Sequence, residues 1–265
     1  MRRLVGFSVG VLALGVSAAR VSGETPRDGG ELLQRVEAAH AGVRTLAAEV
    51  AYDRRFLLQG DRHVRLGTFY YRASSAEESR AFAVLFERLW VGERVSDDPE
   101  GWIFDSEWLV EEHPREKRFI RRRMGLAGAD PLAPSQSPIP LPVGLKAGEV
   151  LAQFTSEVRE AEDGVEDADR ASLPFLGETV QLVLTPRESA GRKPQFREVR
   201  LWFDRETYLP RMARTVERSG DESWVVLINL EPNAPGAIPE NVFSTEPPEP
   251  GSGWDVQTEE GGSAQ

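Results

Sequence analysis

Residues 31–52 read ELLQRVEAAHAGVRTLAAEVAY, and the hydrophobic period changes inside this stretch. Leu32, Val36, Ala39 and Val43 recur at three- and four-residue spacing with Glu and Arg between them, which predicts an amphipathic helix over 31–44. From Leu46 the period is two. Leu46, Ala48, Val50 and Tyr52 alternate with Ala47, Glu49, Ala51 and Asp53, so the helix hands over to a strand with one apolar face.

The same alternation continues outward. Strands are predicted over 64–72, 81–90, 101–104, 108–112 and 117–122, and, beyond an acidic spacer at 160–169, over 178–185, 198–203, 211–217 and 223–230. In 82–88 (FAVLFER) the large residues Phe82, Val84 and Phe86 share one face, and Ala83, Leu85 and Glu87 take the other. A second short helix is expected over 146–157, with Val150, Leu151 and Phe154 on one side. Strand follows strand without intervening helices, which indicates antiparallel meander connections.

Residues 129–144 hold Pro131, Pro134, Pro138, Pro140 and Pro142, and can be neither interior helix nor central strand. Ile139, Leu141 and Val143 make this connection too apolar for a solvated loop, so part of it should lie on hydrophobic surface. A sheet of about ten strands must curl or be covered. Only two helices and the proline segment are available to cover it. The expected fold is therefore mainly β: a large curved antiparallel sheet, or incomplete β-barrel, with helices and a proline-rich lid over a concave face left partly open.

The first residues bound the compartment. Arg2 and Arg3 precede an apolar run over 4–16 and small residues at 17–23, the order of a secretory signal. The run is too short for a spanning helix, which needs about 20 residues, so cleavage near residue 23 and a periplasmic location are expected. Removing 1–23 takes away Arg2, Arg3 and Arg20 and no acid, moving the net charge from −11 to −14. That balance argues against nucleic acid as a partner. The chain has no cysteine, which leaves no site for lipid attachment, disulfides or thiolate chemistry. Residues 24–250 are expected to form one domain and 251–265, rich in Pro, Gly, Ser and Glu from 246 onward, a disordered tail. The basic run 115–123 (REKRFIRRR) reads as a solvated strand face or a docking patch.

Catalytic chemistry is not visible. The pattern Gly6-Phe7-Ser8-Val9-Gly10 matches a nucleophile elbow but lies inside the signal's apolar run. His40, His63 and His113 stand apart in sequence and read as polar surface residues rather than metal ligands. The acidic run 160–169 lacks the glycine and ligand spacing of a calcium loop. Asp97-Asp98 and Glu111-Glu112 are adjacent, and on a strand adjacent residues point to opposite faces. No catalytic residue, metal ligand or cofactor is assigned, and the chain is expected not to be an enzyme.

Four stretches resemble the bacterial outer-membrane lipoprotein carrier (LolA/LolB-like) family and its sigma-factor-regulator relatives: 31–52, GTFYYRA (67–73), FDSEWLVEEHPREKRFIR (104–121), and VRLWFDRETYLPRMARTV (199–216) with INLEPNAPGAIPENVFSTEPP (228–248). The resemblance implies an incomplete barrel whose apolar hollow takes up lipoprotein acyl chains or other lipids. It further implies an inner-membrane release complex and an outer-membrane acceptor as partners. The lining it implies is Leu46, Val50, Phe69, Tyr71, Phe82, Val84 and Phe86, with Ile139, Leu141 and Leu145 in the lid. Where the family carries a basic pair before proline, with an arginine that holds the lid shut, this chain reads Arg72-Ala73-Ser74, so Arg72 or Arg65 is the candidate substitute. The competing readings are a lipid- or envelope-stress-sensing regulatory domain of the same fold, and an envelope interaction protein with a filled interior.

Overall fold

The computed structural model describes residues 26, 28–124, 139, 141–170, 173, 175–187 and 194–260. The expected signal segment 1–23, most of the proline segment and the last five residues lie outside the described residues. Helix α1 (Gly29–His40) is capped by Asp28, whose side chain accepts from the Glu31 N–H at 2.9 Å, and it ends before Gly42. Four strands follow as two hairpins, β1 (Thr45–Phe56) with β2 (Asp61–Arg72), and β3 (Ala81–Val91) with β4 (Arg94–Phe104). Then come β5 (Trp108–His113) and β6 (Arg118–Arg123). Helix α2 (Ala147–Gln153) leads into β7 (Phe154–Arg159), and a four-residue α3 (Asp167–Arg170) into β8 (Thr179–Pro186), β9 (Phe196–Asp204), β10 (Pro210–Glu217) and β11 (Glu222–Pro232). The last element is β12 (Asp255–Glu259).

All twelve strands form one curved, open sheet in the order β12-β6-β5-β4-β3-β2-β1-β11-β10-β9-β8-β7. Every described pairing is antiparallel except β12 with β6. The closing contact of the topology is β1 against β11, which joins the first hairpins to the last.

Two expectations change. The stretch read as one helix over 146–157 is a helix only to Gln153. Phe154 turns extended because Thr155-Ser156-Glu157-Val158 pairs with Thr185–Leu182 of β8, and a ladder partner outweighs weak local propensity. The tail expected to be disordered from 251 contains β12, since Trp254 packs into a cluster on the sheet and carries the following residues onto the edge of β6.

Both faces of the sheet are covered in parts. On the inner face, α1 and α2 pack over β7 to β10 through Leu32, Leu33, Val36, Ala147 and Val150. Next to this cluster, the residues around Leu141 pack over β1 to β5 and β11. On the outer face, Ala161, Val165, Leu173, Phe175 and Leu176 cover Trp202, Met212 and Trp224, and the indole Nε1 of Trp202 donates to the Ala161 carbonyl at 2.8 Å. Val242, Phe243 and Trp254 cover Ala83, Ile103, Val110 and Phe119.

Candidate functional site

Three rungs of the register build the inner face of β1 to β5. Leu46 pairs with Tyr71, Tyr71 with Phe82, Phe82 with Phe104 and Phe104 with Leu109. One rung along, Ala48, Phe69, Val84 and Trp102 stand in line. The third rung is Val50, Gly67, Phe86 and Glu100, with Leu227 of β11 beside Val50. Directly paired residues share a face, so the register places all seven lining candidates on one side. The rings of Phe82 and Phe104 meet at 5.5 Å, and Tyr52 stacks on Phe86 at 6.0 Å.

Gly67 and Glu87 mark the end of this apolar field. Glu87 is an extra residue between the pairs Phe86–Gly67 and Arg88–Leu66, a bulge. A side chain at Gly67 would sit 2.0 Å from the Leu85 carbonyl oxygen, so the position accepts only glycine. Beyond the bulge the inner face becomes charged. Arg65 bridges Asp98 (3.0 Å) and Glu100 (2.8 Å), and the Trp102 indole donates to Glu100 at 2.7 Å.

Ile139, Leu141 and Val143 pack into the same apolar cluster. The N–H of Val143 donates to the Leu141 carbonyl in a one-residue turn, and among the described residues 141–145 make no backbone hydrogen bond to a strand. Gly144 follows with φ +70°, in van der Waals reach of the Tyr71 hydroxyl. The chain is then pinned: Glu37 of α1 accepts from the Ala147 N–H at 3.0 Å and from Lys146 at 3.3 Å. Those donors hold the Glu37 carboxyl below its ordinary pKa. The apolar lid segment therefore ends in a left-handed glycine next to a fixed anchor.

The candidates do not all meet. Leu145 belongs to the neighbouring cluster under α1, because it lies past the Gly144 turn. Arg72 points to the outer face, where it pairs with Glu78 and stacks over Phe243, so it cannot reach the lid. Arg65 is on the inner face but six residues along β2 from Tyr71, about 20 Å away, and both of its acidic partners are local. Neither arginine fills the lid-holding position. The field is also more filled than the sequence led one to expect. Every one of the ten candidates is at most 5 % exposed, because the sheet's own phenyl rings and the lid occupy the space above it.

Sequence reading missed Val43, Phe104, Leu109, Val225 and Leu227, which complete the same cluster. On β11 the visible alternation was Trp224, Val226 and Ile228, the outer set. Val225 and Leu227, equally apolar, face inward. His40 is largely buried against Phe203, not a surface residue, and both of its ring nitrogens lack a hydrogen-bond partner. Burial holds its pKa down at about 4, against an opposing pull from the Tyr208 backbone. Among the described residues there is no cluster of three or more His, Asp or Glu suited to a metal, and no helix long and apolar enough to cross a membrane.

No family model matches the chain, and no curated protein matches it. Solved structures that resemble it include an uncharacterized conserved protein from Thermus thermophilus (13 % identity, 86 % of this chain and 97 % of that one, TM-score 0.45). Others are a LolA superfamily protein from Nitrosomonas europaea (11 %, 83 % and 98 %, TM-score 0.37) and the Mycobacterium tuberculosis lipoprotein LppX (12 %, 76 % and 93 %, TM-score 0.40). At these identities and scores they are likenesses of fold, and function has to be argued from the residues.

Proposed function

We propose that the protein is an exported, non-catalytic carrier that holds acyl chains of lipoproteins or other lipids between its lid segment and the inner face of β1 to β5, and passes them on toward the outer membrane. The observation that carries this reading is a continuous apolar field, Leu46 to Leu109 across five strands, with Ile139, Leu141 and Val143 packed on it. The arrangement is the closed state.

The energetics let a guest slide in between the lid and the field, with the lid settling back over it. Lifting Ile139, Leu141 and Val143 off the field exposes three side chains at about 2 kcal/mol each. Burying about eight methylenes of a guest, at about 0.8 kcal/mol each, offsets that cost. The charged bar at Arg65, Asp98 and Glu100 bounds the field at one end and favours a guest with an apolar tail and a polar head.

The test uses the full chain. Lipid extracted from protein purified out of its native envelope should contain acylated species by mass spectrometry, and a fluorescent fatty acid should bind the delipidated protein. Leu141→Asp, a lid change that leaves the strands intact, should weaken that binding at least ten-fold with an unchanged far-UV spectrum. A wild-type protein that carries no lipid and binds no probe, or a Leu141→Asp protein that binds as well as wild type, would refute the proposal.

A further inference from the structure

The edge strand β6 reads RFIRRR, and the chain's own β12 lies on it in parallel register, Asp255 beside Arg118 through Glu259 beside Arg122. Arg121 donates to the Thr258 hydroxyl at 3.1 Å and lies over the Trp108 ring. Arg122 pairs with Glu259 at 2.9 Å, and Arg123 reaches Glu260 at 3.5 Å. The end of the basic run is therefore met by acidic residues from the far end of the chain, Glu259 at Arg122 and Glu260 at Arg123.

Edge protection does not account for this arrangement. A short strand bearing four arginines already resists unwanted pairing by charge. Adding β12 with Glu260 brings acids to two of the arginines, Arg122 and Arg123, and replaces one unpaired edge with another, whose five residues are all exposed, Val256 at 40 %. β12 is also the one parallel addition in the described sheet, it buries little, and two glycines with positive φ (Gly251 and Gly253) precede it. Elements held by few buried contacts open first.

The geometry points to the β6 edge as a strand-docking site for a partner protein's extended acidic segment, with β12 as the resident occupant that such a segment displaces. Main-chain hydrogen bonds supply the affinity, and the arginines select acidic side chains. Trp254, packed with Phe119 and Val242, gives the matching anchor: an aromatic residue directly ahead of the acidic run. This inference is independent of what the inner face holds.

The probe is a labelled peptide of residues 253–260, titrated by fluorescence anisotropy into the full-length protein. Asp255 donates its N–H to Lys117, so by alternation Gln257 also directs its N–H at β6, and Gln257→Pro in the protein unseats β12. The peptide should bind Gln257→Pro at least ten-fold more tightly than wild type, more weakly at high salt, and not at all after a further Arg121→Glu and Arg122→Glu. A peptide carrying proline at position 257 should not bind. A thermal melt of Gln257→Pro within a few degrees of wild type shows that the fold is kept. In the wild-type protein, β12 amides should exchange hydrogen well before those of β5. Equal binding to Gln257→Pro and wild type, equal binding of the proline-containing peptide, or β12 amides as protected as those of β5 would each overturn the inference.

Discussion

The two halves of the inner face are covered by different means. Over β7 to β10 the cover is helical and tied at many points. α1 is capped by Asp28, Arg35 bonds to the Tyr208 hydroxyl at 2.9 Å, and Glu37 fixes the start of α2. Over β1 to β5 the cover is a proline-containing segment that touches the sheet through Ile139, Leu141 and Val143. Helices that satisfy their own backbone hold one half, and three aliphatic side chains of a connecting segment pack over the other. Under the proposed function the first half is the permanent core and the second carries the exchangeable cover.

Truncations matched across the halves sharpen the contrast. Phe203→Ala, at a side chain with no exposure beneath the helices, should cost about 4 kcal/mol, read as a lower urea midpoint with an unchanged slope. A cost under about 1 kcal/mol would show that this half is not the rigid one.

His40 should give the next effect, through pH. Its folded pKa of about 4 lies below its ordinary value of 6.5, so the folded state binds fewer protons between the two. Its contribution is complete above pH 6.5 and is lost as pH falls toward 4, about 3 kcal/mol in all. His40→Leu should flatten that part of the pH–stability curve. Below it, loss of the carboxylates with lowered pKa, Glu37, Asp169 and Asp204, takes over in both proteins. A His40→Leu curve parallel to wild type between pH 6.5 and 4 would break the assignment.

In the loosely covered half, Leu141→Ala should cost about 2 kcal/mol, the low end for a buried leucine, because the segment can settle. It should also speed entry of a fluorescent fatty acid in stopped-flow mixing. The smallest effect is expected at the tip of the first hairpin. Leu58, 85 % exposed, should tolerate serine within about 0.5 kcal/mol by thermal melting.

The strands of the loosely covered half were largely legible in the sequence, since alternation is a local signal and Phe82, Val84 and Phe86 announce their face directly. What was not legible depends on distant partners. β1 meets β11 across more than 160 residues of sequence, and β12 becomes a strand only because β6 offers arginines and a free edge. On β8 and β11 both faces are buried, so alternation loses its contrast there and Val225 and Leu227 went unread. The acidic spacer likewise hid a structural role, because Ala161 and Asp163 act through backbone carbonyls that accept from Trp202, Gln181 and Arg200. For the candidate site, the face that the strand residues share was readable, but how tightly it is filled was not, because density of packing is decided by ring orientations that no spacing reveals.

Tryptophan quenching by a dibrominated fatty acid tests the central claim most directly, because the two halves carry separate reporters. Trp102 packs against the field under the lid, and Trp202 and Trp224 stack on each other on the outer face of the tied half. The account predicts strong, saturable quenching that Trp102→Phe removes and Trp202→Phe leaves intact. Quenching that survives Trp102→Phe, or that vanishes with Trp202→Phe, would contradict it.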